Sequence, residues 1–170
     1  MWRGSNNGWV RKYMKRTAQP LAAAAFAPFG QVLESPRRGL RHDHAARLYN
    51  AREGATPNLC TVRPEPTVPP LSVTKLERHP MSSQALIPLQ VARYLVVVCP
   101  PTVDGAPDRE RIEAFITDGT LGINYEVGVW HHPLTVLDSP GTFAVLTWED
   151  GGEADLAWAT VEPEVIVAIA

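Results

Sequence analysis

Cysteine is scarce, charge is nearly balanced and long apolar runs are missing, and each shortage closes off a class of protein. The two cysteines, Cys60 and Cys99, stand in apolar, strand-like stretches, Leu59-Cys60-Thr61-Val62 and Val96-Val97-Val98-Cys99, with no Cys-x-x-Cys spacing. A disulfide framework is excluded; reduced, buried thiols and a cytoplasmic setting are expected. The 16 basic and 18 acidic residues leave a net charge of −2, so no basic surface for nucleic acid is expected. The one basic run, Arg3, Arg11, Lys12, Lys15 and Arg16, reads as a solvated tail.

No stretch approaches the ~20 apolar residues that a membrane span requires. Leu21-Ala22-Ala23-Ala24-Ala25-Phe26-Ala27 after that basic run resembles a signal-peptide core, but it is short and breaks at Pro28. The same residues read as a short helix with Pro20 at its start and Gly30 past its end. Residues 1–16 are expected to be an extension, and 17–170 a single domain. There is no Gly-rich phosphate loop, no Gly-x-Ser-x-Gly elbow and no catalytic Cys–His context, which argues against nucleotide and serine-hydrolase chemistry.

What the chain does have is punctuation. Hydrophobic residues make up 45% of 170, enough for a sizeable core. The 16 prolines and 12 glycines cut this apolar content into short segments. Strands are expected at 59–62, 71–78, 85–87, 94–99, 122–125, 129–130, 134–137, 143–148, 156–161 and 165–169, about nine or ten in all. One further helix is expected over 107–116, where Ile112, Phe115 and Ile116 recur at i, i+3, i+4 ahead of Gly119. An all-β architecture follows, a jelly roll or cupin-like β-barrel with one or two short helices.

Polar residues fall in rows that a core would not tolerate. In Lys75-Leu76-Glu77-Arg78-His79, alternation puts Lys75, Glu77 and His79 on one face, and Leu76 and Arg78 on the other. An amine, a carboxylate and an imidazole in one row suit a site or a solvent-exposed face. Glu77-x-His79-x4-Gln84 echoes the first cupin metal motif with two ligand positions changed, and Gly128-x-x-His131 echoes the second. Glu77, His79, Gln84 and His131 would then meet at one mouth of the barrel. They could hold a divalent metal such as Mn, Ni, Zn or Fe, or hydrogen-bond a small polar substrate with no metal at all. Adjacent histidines on a strand face opposite ways, so at most one faces the barrel interior. The Gly128-x-x-His131 motif spacing assigns that place to His131, while His132 reads as structural and Trp130 as core. His42-Asp43-His44 reads as a surface loop.

These blocks resemble the ureidoglycolate lyase family. The resemblance rests on Phe26-Ala27-Pro28-Phe29-Gly30-Gln31-Val32, on Leu76-Glu77-Arg78-His79-Pro80 through Leu89, and on Tyr94–Val98 and Ala114-Phe115-Ile116. It continues through Gly122-Ile123-Asn124-Tyr125 and Gly128-Val129-Trp130-His131-His132-Pro133. It implies a cupin-type barrel, a homodimer, and cleavage of ureidoglycolate to glyoxylate and urea in allantoin breakdown. It also implies His79, Glu77 and His131 as catalytic groups, with Lys75, Gln84, Asn124, Tyr125 and His132 binding substrate. The run Thr147–Asp155 departs from the family's Asp-Arg pair and following Gly-rich turn. Two other readings stay open: a cupin enzyme for another small hydroxy acid or ureido compound, and a non-catalytic cupin-like binding module.

Overall fold

A computed structural model describes residues 13–36 and 38–170. The chain is mainly β. Its first strands are β1 (Met14–Pro20), β2 (Gly30–Leu33), β3 (Thr56–Val62) and β4 (Leu71–Arg78), followed by β5 (Gln84–Gln90) and β6 (Arg93–Cys99). Next come β7 (Glu113–Thr117), β8 (Gly122–Tyr125), β9 (Trp130–His131) and β10 (Thr135–Leu137). Two long strands end the chain, β11 (Thr142–Glu149) and β12 (Ala157–Ile169). A short helix, α1 (Ala23–Phe26), and two 3₁₀ turns, Ala45–Arg47 and Arg109–Arg111, complete the described elements.

One sheet runs β10-β6-β7-β1-β12-β4-β9, and β9 also pairs with β6. That second pairing closes six of its strands into a barrel. The other sheet, β2-β8-β5-β11-β3, packs against one flank of the barrel, and the whole is the cupin-like jelly roll expected. Strand β6 shows why its sequence reads as an unbroken apolar run. Leu95, Val97 and Cys99 belong to the cluster filling the closed barrel, while Tyr94, Val96 and Val98 belong to the cluster between the two sheets. A strand buried on both faces needs no polar alternation.

The same physics overturns the helix expected over 107–116. The segment is one 3₁₀ turn followed by β7. Strand β7 lies between β6 and β1, with Ile112 and Ala114 facing the barrel interior and Phe115 facing the intersheet core. Apolar residues on both faces of a strand imitate the i, i+3, i+4 spacing of a helix. The short helix near 21–27 is present as α1 and buries Phe26.

The expected extension 1–16 reaches into the fold, while residues 1–12 lie outside the described residues. Met14, Lys15 and Arg16 pair in parallel with Val165, Ile166 and Val167 of β12. Arg16 also donates from Nε to the Ile112 carbonyl at 2.9 Å. Its polar side chains concealed this strand, because backbone pairing and not apolar burial holds most of it in place. The expected strands 156–161 and 165–169 are one strand, β12, with a register shift between Thr160 and Val165. Pro163, which has no N–H to donate, sits within that irregularity.

Phe115 is 2% exposed and meets Phe26 edge-on, with ring centroids 5.8 Å apart. Phe115→Ala should lower unfolding free energy by about 3–5 kcal/mol, seen as a lower urea midpoint with an unchanged m-value. A loss under about 1 kcal/mol would mean that the intersheet core does not depend on this contact.

Candidate active site

The site grows from one register. In the antiparallel pairing of β4 with β9, Glu77 stands directly opposite His131. Cross-strand partners share a face, so the Glu77 carboxylate and the His131 imidazole project together, away from Leu76 and Trp130 in the barrel core. Trp130 is core as expected, and Arg78 points the other way, stacking over the Trp130 ring at 4.6 Å. His79, two residues beyond Glu77, lies on the same row, with its ring 5.7 Å from that of His131 and nearly parallel to it.

Glu77 and His131 border a cavity of about 500 Å³ between the barrel wall and the five-stranded sheet, while His79, grouped with them, is not part of its lining. It therefore lies beside the closed barrel, not inside it. Glu77, His131, His132 and Leu134 form one wall; Cys60, Gln84, Leu86, Val145, Thr147 and Glu149 form the other, and Arg63 completes the lining with Val62, Pro64 and Pro133. Its size and mixed lining are those of a small-molecule site.

Hydrogen bonds assign the histidine tautomers. A backbone carbonyl can only accept, so a ring nitrogen facing one must carry the proton. His79 Nδ1 donates to the Asp155 carbonyl at 2.8 Å, and His131 Nδ1 donates to the Val129 carbonyl at 3.0 Å. In the neutral rings each Nε2 is then a bare lone pair, and both are buried without a hydrogen-bond partner. One ligand atom each from Glu77, His79 and His131 lies within 4.8 Å of the others. His131 Nε2 is 3.6 Å from Glu77 Oε1. Three acceptors with no donor among them need a cation, a proton or a donor-rich ligand. The donor set fits a divalent metal, with two imidazoles and one carboxylate.

The surroundings sort the remaining candidates. Gln84 lines the cavity with Glu77 and His131. His132 lines it too, so the expectation that adjacent histidines must face apart is corrected. Strand β9 ends at His131 and frees His132 from alternation. His132 nevertheless keeps a structural bond, donating from Nδ1 to the Pro133 carbonyl at 2.9 Å. Tyr125 does not line the cavity but stacks on His131 from behind, centroids 4.1 Å apart and planes 11° from parallel. Asn124 is also outside: with Ile123 and Tyr125 facing the intersheet core, alternation sends it to the opposite face, where it donates to the Arg47 carbonyl at 2.9 Å. Lys75 shares the Glu77 row yet reaches away from the cavity, its ammonium 4.6 Å above the Trp158 ring. His42 and Asp43 are exposed in a loop, as expected.

Sequence reasoning missed several residues of the lining. Cys60, expected to be buried, is exposed at the cavity, whereas the Cys99 thiol is buried and pushed up to about 12, mainly by loss of solvent. Thr147 and Glu149 continue the inward row of Phe143 and Val145 along β11, so alternation carried past the apolar residues would have found them. Arg63 follows directly on β3 and gave no comparable signal.

Comparison with known proteins gives the family. The family model described as ureidoglycolate lyase matches residues 14–168. A ureidoglycolate lyase of Burkholderia mallei is 41% identical over 144 residues, covering 79% of this chain and 82% of the relative. The chain belongs to the ureidoglycolate lyase family. Similar relatives bear the same name in Azotobacter vinelandii (36% over 145 residues, covering 79% and 85%) and, as ureidoglycolate lyase 1, in Rhizobium meliloti (41% over 143 residues, covering 79% and 82%). Among the described residues no helix is long and apolar enough to cross a membrane.

Burial holds the His79 and His132 imidazoles below their ordinary 6.5, and the nearby His131 adds to the shift at His79. Unfolded histidines take up protons near that value while the folded ones resist. Stability should therefore be full above about pH 6.5 and fall as pH drops below it toward the lowered folded values. Urea midpoints measured from about pH 7.5 down to 5.5 should decline, and less steeply in His79→Gln; parallel curves for the two proteins would contradict the shift at His79.

Proposed function

We propose that this cavity cleaves ureidoglycolate to glyoxylate and urea, a carbon–nitrogen lyase reaction of purine breakdown. The observation that carries the reading is the convergence of Glu77, His79 and His131 as acceptors with two buried, unpartnered Nε2 atoms, in a chain of this family. Ureidoglycolate is a carbinolamide, rich in the donors this cluster lacks: one hydroxyl and three ureido N–H. Its cleavage moves one proton. The hydroxyl gives up its proton, the C–O bond becomes a carbonyl, the C–N bond breaks and the urea nitrogen takes a proton. A neutral imidazole with a bare Nε2, on His79 or His131, can accept the first proton and return it to nitrogen. Glu77 faces the ureido N–H groups or steadies the imidazolium, and Gln84 reads the amide.

The substrate is also an anion, entering a cavity that already contains Glu77 and Glu149. Lys75, expected to bind substrate, reaches away from the cavity. Arg63 is better placed, as the only lysine or arginine lining the cavity and free of hydrogen bonds and ion pairs among the described residues. A divalent cation held by Glu77, His79 and His131, with Gln84 near, would polarise the hydroxyl and carboxylate oxygens.

Purified protein given ureidoglycolate should release glyoxylate and urea in equal amounts. His131→Ala should cost about 10²–10⁴ in kcat. Arg63→Gln should mainly raise KM, because the lost contact is made equally in ground and transition states. No glyoxylate, with or without added Mn, Ni or Zn, would sink the lyase reading in favour of another small hydroxy-acid or ureido substrate.

A homodimer acting in the cytoplasm goes with this proposal. Both cysteines are free thiols, in keeping with a reducing compartment. The outer face of the five-stranded sheet carries exposed Leu59, Ile87 and Leu89, a surface suited to a second copy. Sedimentation at micromolar concentration should give twice the 18.7 kDa of one chain. Leu59→Asp with Ile87→Asp should halve that mass, and a wild-type chain that sediments as a monomer would remove the dimer.

A further inference from the structure

We propose that Arg52 is a positioning residue for His79, acting through the turn between β11 and β12. The inference rests on the lyase reading only for its effect on rate.

Arg52 is largely buried; its side chain is 12% exposed. Its guanidinium gathers two carboxylates of that turn and a carbonyl at the end of β11, with Nη1 2.6 Å from Asp155 Oδ1 and 3.0 Å from Asp150 Oδ1, and Nη2 donating to the Trp148 carbonyl at 2.8 Å. The Asp155 carboxylate in turn accepts from the backbone N–H of Asp150 at 3.1 Å and of Gly151 at 2.7 Å. The Asp150 carboxylate accepts from the N–H of Gly152 at 2.9 Å. Two carboxylates thus share one short turn, and Arg52 is the cation between them. The residue so held, Asp155, presents its own carbonyl to His79 Nδ1 at 2.8 Å.

The other end of the clamp reaches the chain that carries His79. Ala51 N–H donates to the Met81 carbonyl at 2.8 Å, and Asn50 forms a bridge with Ser82. Asn50 closes on Arg52 itself, its amide donating to the Arg52 carbonyl at 2.6 Å. The segment 50–52 therefore joins the turn after β4 to the turn after β11, and His79 lies between them.

The consequence is chemical. While the Asp155 carbonyl stays in place, the His79 proton resides on Nδ1 and Nε2 presents its lone pair to Glu77 and His131. If Arg52 loses its charge, Asp150 and Asp155 repel, the turn opens and the carbonyl withdraws. His79 is then free to rotate or to take the other tautomer, which would present N–H where the reaction needs an acceptor. A ring held by an outer contact commonly loses about 10- to 100-fold in function when that contact goes.

The test is histidine ¹⁵N NMR on the full chain as purified, and again after EDTA treatment so that no bound cation sets the tautomer. Wild type should show His79 protonated on Nδ1 and bare on Nε2. Arg52→Gln should lose that signature and drop kcat about 10- to 100-fold with a smaller change in KM, while Arg52→Lys keeps part of both. If Arg52→Gln fails to fold, Asp155→Asn, which retains the backbone carbonyl but not the charge, should move both readouts the same way. A folded Arg52→Gln or Asp155→Asn with an intact His79 signature and wild-type kcat overturns the proposal. A wild-type chain that shows the signature yet releases no glyoxylate overturns the lyase reading and supports this one.

Discussion

The pairing of a two-residue strand, β9, with both β4 and β6 is the constraint on which the rest depends. Trp130 faces into the barrel and completes its core; His131 faces out and stands against Glu77. Closing the barrel and assembling the site are therefore one structural event. A register slip of a single residue would exchange the two side chains, putting an indole in the cavity and an imidazole in the apolar barrel. The cost of either misplacement strengthens the register that places the carboxylate beside the imidazole.

Once register has brought the three acceptors together, the cluster must be held against its own electrostatics. Bare Nε2 atoms and a carboxylate within a few ångströms repel one another and would relax apart if mobile. The two imidazoles are pinned. His131 is stacked against Tyr125 and tied to the Val129 carbonyl, and His79 is tied to the Asp155 carbonyl. The polar frustration is kept in front, where a ligand can relieve it, and satisfied behind, where none can reach.

Much of this was legible in the residues because β-structure converts sequence parity into direction. Parity placed Glu77 and His79 on one row and Arg78 away from the site. Parity misled at β7, a strand buried on both faces, and at β9, which ends before His132. It was also silent on which sheet covers a given row. Asn124 and Tyr125 stand in the block that carries the family resemblance, yet one faces the far side and the other backs His131. Strand β1 was unreadable for a different reason, since its polar residues are held by hydrogen bonds of the backbone, which every sequence possesses.

The segment Thr147–Asp155 departs most visibly from the family pattern, and a departure close to a site invites the conclusion that the substrate has changed. The geometry favours a narrower one. The first part of the segment, Thr147 and Glu149, lines the cavity, but the turn from Asp150 to Asp155 meets the site only through a backbone carbonyl, which any residue supplies. What that turn must preserve is the position of the carbonyl, and an acidic turn gathered around Arg52 does so. Sequence can therefore change there without altering what faces the substrate, whereas a change at Arg63, Glu77 or Gln84 would alter it directly. Divergence in the turn bears on how His79 is held; divergence on the cavity wall would bear on what the enzyme accepts.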